Sequence, residues 1–140
     1  MPKAIIFDLN GIFIQSPKLS DRFRDKFGVP VSEFLPVLKE IMDKVRRPQD
    51  GPAYACFALW QPYLEKWGVK LNEKEFFNFW FSAEKANEEM LTLAKELKQQ
   101  GIKLFILSNN FAERTKFYDK KFPCTEKVSC TEKVSGTIFD

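Results

Sequence analysis

The chain contains no histidine. That absence removes imidazole-based serine and cysteine triads, His-bearing zinc sites and imidazole acid–base work together. Carboxylates, hydroxyls, amides and lysines are left to carry any chemistry. Cysteine is scarce as well: Cys56, Cys124 and Cys130 are odd in number and lack a C-x-x-C spacing. This argues against a disulfide framework or a zinc knuckle and for reduced thiols. No apolar run approaches the roughly 18 residues of a membrane span, and no basic stretch leads into a long apolar leader. The expectation is a cytoplasmic protein with no membrane partner. Charge of one sign is also missing, because the formal net charge of +3 comes from 22 basic and 19 acidic residues spread along the chain. A nucleic-acid footprint is therefore not expected, while small anionic ligands remain open.

What is there is about one domain's worth of core, with 44% hydrophobic residues in 140. The segment Lys3-Ala4-Ile5-Ile6-Phe7-Asp8-Leu9-Asn10-Gly11 is the most informative. A near-continuous apolar run reads as a buried strand, and it delivers a carboxylate and an amide into a turn that glycine permits. An aspartate in so apolar a neighbourhood calls for a cation, a phosphate or a capping role, the plainest alternative being a strand-ending Asx turn. A second short apolar run, Ile102 to Leu107, ends in Ser108-Asn109-Asn110. Between the runs, Asn87 to Lys98 repeats apolar residues at helical spacing through Met90, Ala94 and Leu97, acids early and lysines late, with Gly101 as the stop. Helix, glycine and buried strand make half of a parallel crossover unit. Phe111 to Phe122 continues as a helix presenting Phe111, Thr115 and Tyr118 on one side, with Asn110 and Glu113 spaced as a capping box. Ser108 and Asn109 then lie between a strand end and a helix start, where unpaired N–H groups favour a phosphate.

In open parallel sheets the ligand crevice lies beyond the carboxyl ends of the strands, and both runs put polar residues at that end. On these residues the chain resembles the haloacid dehalogenase-like superfamily, whose first motif is a strand ending in Asp-x-Asp-Gly and whose second is a strand ending in Ser or Thr, usually followed by Asn. Here they read Asp8-Leu9-Asn10-Gly11 and Ser108-Asn109. The resemblance implies an α/β fold, a Rossmann-like parallel sheet in shortened form with an inserted α-helical cap. The core would comprise residues 1–15 and 84–140 and the cap residues 16–83. The cap stretch is rich in amphipathic patterns, through Leu19, Phe23 and Phe27, then Phe34, Leu38, Ile41 and Met42, then Tyr54 to Trp67 and Asn72 to Phe81, with a break at residues 47–52. Its aromatic cluster Phe76 to Phe81, with Trp60 and Trp67, is read as packing, since a small helical bundle needs large side chains.

The resemblance further implies a Mg²⁺-dependent phosphatase acting on a small phosphorylated metabolite. Asp8 would be the nucleophile and form an aspartyl-phosphate. Ser108, Asn109 and Gly11 would bind the phosphate, and Asp8 with the main-chain carbonyl of Asn10 would hold the metal. Two departures stand beside this. Asn10 occupies the position where family phosphatases carry a second Asp as general acid and base, and an amide cannot do that work. Asn10-Gly11 is also a deamidation-prone dipeptide, whose conversion would supply the missing acid. After Ser108-Asn109, no counterpart of the family's later lysine or acid-bearing strand is identified. A duplicated hexapeptide, Cys124 to Ser129 and Cys130 to Ser135, and then Gly136 to Asp140 stand there instead. The alternative is a catalytically impaired or inactive relative acting as a binding or interaction module. A sheet edge left open in such a core predicts self-association.

Overall fold

The computed structural model describes residues 3–46, 55–108 and 110–121, and of Asp119 the backbone alone. The break at residues 47–52, the duplicated hexapeptide, Cys124, Cys130 and the terminal Gly136 to Asp140 lie outside the described residues, as does Asn109. The architecture is mixed α/β. In chain order the elements are β1 (Ala4–Phe7), β2 (Ile14–Gln15), α1 (Leu19–Phe27), α2 (Val31–Arg46), α3 (Cys56–Lys66), α4 (Glu73–Phe81), β3 (Lys85–Ala86), α5 (Glu88–Gln99), β4 (Lys103–Ile106) and α6 (Ala112–Lys121). None of these helices is long and apolar enough to cross a membrane.

Two compact units divide the chain, one from residues 1–16 with 84–140 and one from residues 17–83. In the first, β1 and β4 pair in parallel, with Ala4 opposite Lys103, Ile5 opposite Leu104, Ile6 opposite Phe105 and Phe7 opposite Ile106. Parallel pairing needs a crossover, and α5 is the element that immediately precedes β4. The helix starts where the Asn87 side chain accepts the Met90 N–H at 3.4 Å and stops before Gly101, whose φ of 80° is open to glycine. Its buried Leu91 and Ala94 join Leu9, Phe13, Ile14, Ile102, Leu104 and Tyr118 in one core. A second, antiparallel pair sets Ile14 against Ala86 and Gln15 against Lys85. Two-residue strands carry no periodicity, so this pair was illegible in the sequence.

The second unit is helical and packs around its aromatic residues. Phe23, Phe34, Trp60 and Phe76 are fully buried, with ring centroids 4.6 Å apart for Phe23 and Phe34 and 5.4 Å for Trp60 and Phe76. Trp80 and Phe81 are buried too, and Trp67 is partly so. Helix α4 starts at a capping box, the Asn72 side chain accepting the Glu75 N–H while the Glu75 carboxylate accepts the Asn72 N–H, both at 2.9 Å. Cys56 is fully buried.

Candidate functional site

The register of β1 and β4 brings their following loops to one end of the sheet. Pairing continues past the strands, because the Leu107 N–H donates to the Phe7 carbonyl at 2.9 Å. From there β1 runs into a tight coil in which the amides of Ile12, Phe13 and Ile14 all point to the Leu9 carbonyl, at 3.4, 3.0 and 3.2 Å. Leu9 and Phe13 anchor the coil in the core. Gly11 makes it possible with a φ of 83°, and its N–H donates to the Ile14 carbonyl at 2.8 Å. That donor is engaged within the coil, so what Gly11 contributes here is the turn.

Asp8 is exposed, and its Oδ1 accepts the Leu9 N–H at 2.7 Å. The partly buried Asn10 does something different. Its Nδ2 donates to Asn110 Oδ1 and its Oδ1 accepts the Tyr118 hydroxyl, both at 2.8 Å. A residue after β1 is thus tied to one after β4 and to one on α6. Asn110, read from its spacing as a helix cap, turns its side-chain oxygen to Asn10 instead. Ser108 Oγ is buried and has no hydrogen-bond partner among the described residues, nor has Asn110 Nδ2. An unsatisfied buried polar atom costs about 1–3 kcal/mol, so each marks a place where a partner would be accepted.

Behind this network lies a buried ion pair. Glu84, just before β3, is fully buried, and its Oε1 accepts from Arg114 Nη2 of α6. The Lys121 ammonium donates to the Glu84 carbonyl at 2.6 Å. The Arg114 guanidinium lies 5.5 Å from the centroid of the Tyr118 ring. Burial raises the Glu84 carboxyl above its ordinary value, against the opposing pull of Arg114, Tyr118 and Lys121. Burial also raises the Tyr118 phenol, which therefore stays a neutral donor.

Among the described residues no group of three or more His, Cys, Asp or Glu side chains is placed to hold a metal ion. The carboxylate that follows β1 is that of Asp8, one of whose oxygens accepts the Leu9 N–H. The helical unit carries a cavity of about 480 Å³ lined by Phe57, Leu64, Val69 and Leu71 with Gln61 and Asn72, none of them a residue singled out for chemistry.

Asp8, Asn10, Gly11 and Ser108 were all nominated from sequence, whereas Tyr118, Arg114 and Glu84 were not. Tyr118 carried one faint signal, a phenol on the apolar side of a helix, which needs a partner when buried. The pairing of Glu84 with Arg114 across 30 positions carried none. No family model matches the chain, and no curated protein sequence matches it either.

Proposed function

We propose that the chain is a magnesium-dependent phosphohydrolase of the haloacid dehalogenase type, built on a Rossmann-like core, which acts on a small phosphorylated molecule through Asp8. The observation that carries this reading is the meeting of two strand ends. The exposed Asp8 carboxylate follows β1, the Ser108 hydroxyl, without a partner among the described residues, follows β4, and the Asn10–Asn110 hydrogen bond ties the two loops. Two parallel strands that deliver a nucleophile and a hydroxyl donor to one end form the kind of crevice in which α/β enzymes bind ligands.

In this reading an Asp8 carboxylate oxygen bonds to phosphorus as the bond from phosphorus to the leaving oxygen breaks, the electron pair departing with that oxygen. Water then attacks phosphorus, releasing inorganic phosphate and restoring the carboxylate. Ser108 donates to a phosphoryl oxygen. Asp8 and the main-chain carbonyl of Asn10 would hold magnesium, which offsets the repulsion between carboxylate and phosphate when bound.

The Asn10 amide, already engaged on both sides, supplies no proton to the leaving group. Substrates whose leaving oxygen needs none should therefore react fastest, which favours aryl over alkyl phosphates. The test is turnover of both classes with magnesium by the wild type, Asp8→Ala and Asn10→Asp. Asp8→Ala should abolish hydrolysis. Asn10→Asp should raise alkyl phosphate turnover by about 10² to 10⁴ and aryl turnover by less, the usual scale of positioned acid–base catalysis. The new carboxylate can be accommodated, since Tyr118 donates to it and a flipped Asn110 amide presents its unpartnered Nδ2. A second reading, an inactive module that binds an anion at the same place, is favoured by the structural use of Asn10. Identical traces from wild type and Asp8→Ala would select it.

A further inference from the structure

We propose that Tyr118 and Asn110 are positioning residues that together lock the Asn10 side chain, so that the Asn10-Gly11 pair persists as an amide in the folded chain and becomes a modification site when the lock opens. Deamidation requires the Gly11 backbone nitrogen to lose its proton and bond to Asn10 Cγ. Ammonia leaves with Nδ2, and water opens the resulting succinimide to Asp or isoAsp. Net, the amide and one water become an acid and ammonia. Glycine normally makes this easy because nothing at its Cα obstructs ring closure.

In this fold every participant is held elsewhere. The Gly11 N–H donates to Ile14 at 2.8 Å, so its nitrogen is neither free nor readily deprotonated. Swinging Cγ over that nitrogen turns the whole carboxamide, which breaks both of its 2.8 Å bonds, from Tyr118 and to Asn110. The hydroxyl cannot easily retreat. Tyr118 is fully buried in the core, and that packing holds its hydroxyl 2.8 Å from Asn10 Oδ1. The lock thus preserves an amide, and withholds an acid, at the position where a carboxylate would transform the chemistry of the turn.

The experiment follows the tryptic peptide of residues 4–18, in which Asn10 is the single asparagine. Folded wild type, wild type in urea and Tyr118→Phe are incubated at mildly alkaline pH, and mass spectrometry reads the conversion of amide to acid. Folded wild type should convert far more slowly than the urea sample, and Tyr118→Phe about five- to tenfold faster than folded wild type, the scale of one lost hydrogen bond. Equal rates for folded and unfolded wild type, or for wild type and Tyr118→Phe, would overturn the proposal. Should Tyr118→Phe not fold, the Asn110 variants decide. Asn110→Asp keeps an acceptor for Asn10 Nδ2 and should stay slow, whereas Asn110→Leu should accelerate, and equal rates for the two would refute the lock. None of these readings depends on turnover, so the phosphohydrolase reading can fail without touching this one.

Discussion

Glu84 is the residue whose environment most conflicts with its chemistry. It is fully buried, one oxygen is held by Arg114, and Oε2 has no hydrogen-bond partner among the described residues. Burial raises its folded-state pKa, so the folded chain holds that proton more tightly than the unfolded chain does. The stability this contributes is fully present below the unfolded value of about 4.3 and is lost as pH rises through the raised value. Glu84→Gln cannot titrate. The stability of wild type minus that of the variant, from urea melts across the acid to neutral range, should therefore fall as pH rises from about 4 and then level off. A flat difference would mean that Glu84 titrates normally. Arg114→Ala leaves a buried carboxylate alone and should cost about 3–5 kcal/mol near neutral pH. At this scale Asp8, Asn10 and Ser108 were legible because each ends or follows an apolar run. Tyr118 and Glu84 were not, since what gives them meaning is the neighbour each meets across the fold.

Among the elements, α4 shows how a helix end can be completed by a distant residue. Its last turn holds no basic residue. Arg22 of α1 supplies the charge instead, donating to the carbonyls of Trp80, at 2.9 Å, and of Phe79, while its guanidinium sits 4.3 Å from the Phe79 centroid. Arg22→Met keeps the aliphatic stem and removes the donors, and should lower stability by about 1.5–3 kcal/mol, the range for hydrogen bonds from charged groups. At the other end of α4, Asn72→Ala should cost about 1 kcal/mol through loss of the cap. Thermal or urea unfolding measures both. Strands β1 and β4 and helices α5 and α6 could be read from periodicity and stop signals, within a residue or two at their ends. Helix α3 carries Pro62 inside it and α2 carries Pro36. Both run through because buried faces, Trp60 and Leu64 on α3 and Phe34, Ile41 and Met42 on α2, outweigh the missing N–H.

For the whole molecule, the two units each hold a core of their own, aromatic in residues 17–83 and largely aliphatic around β1 and β4. Ile6, Phe105 and Leu107 stand out on the parallel pair, 66%, 39% and 75% exposed. Ile6 and Phe105 are register partners, and Leu107 follows on the same side of the strand. An apolar patch on a strand pair with β1 paired on one side only, among the described residues, favours contact with another copy. Sedimentation should show the average mass rising with concentration, and Leu107→Lys should reduce that rise. A monomer at all concentrations would count against it.

The order of side chains along the chain was enough to specify an α/β protein, its two apolar strands, its amphipathic helices and the polar residues that end them, because hydrophobic periodicity and turn chemistry act between near neighbours. That the strands would be buried was not borne out, since Ile6 and Phe105 stand exposed. Tertiary structure alone decided that Asn10 is bound by Asn110 and Tyr118, and that Glu84 meets Arg114 and α4 ends on Arg22. Such pairings join residues dozens of positions apart, and no local pattern encodes them. They exist because burial leaves each polar atom with whatever partner the packing brings within reach.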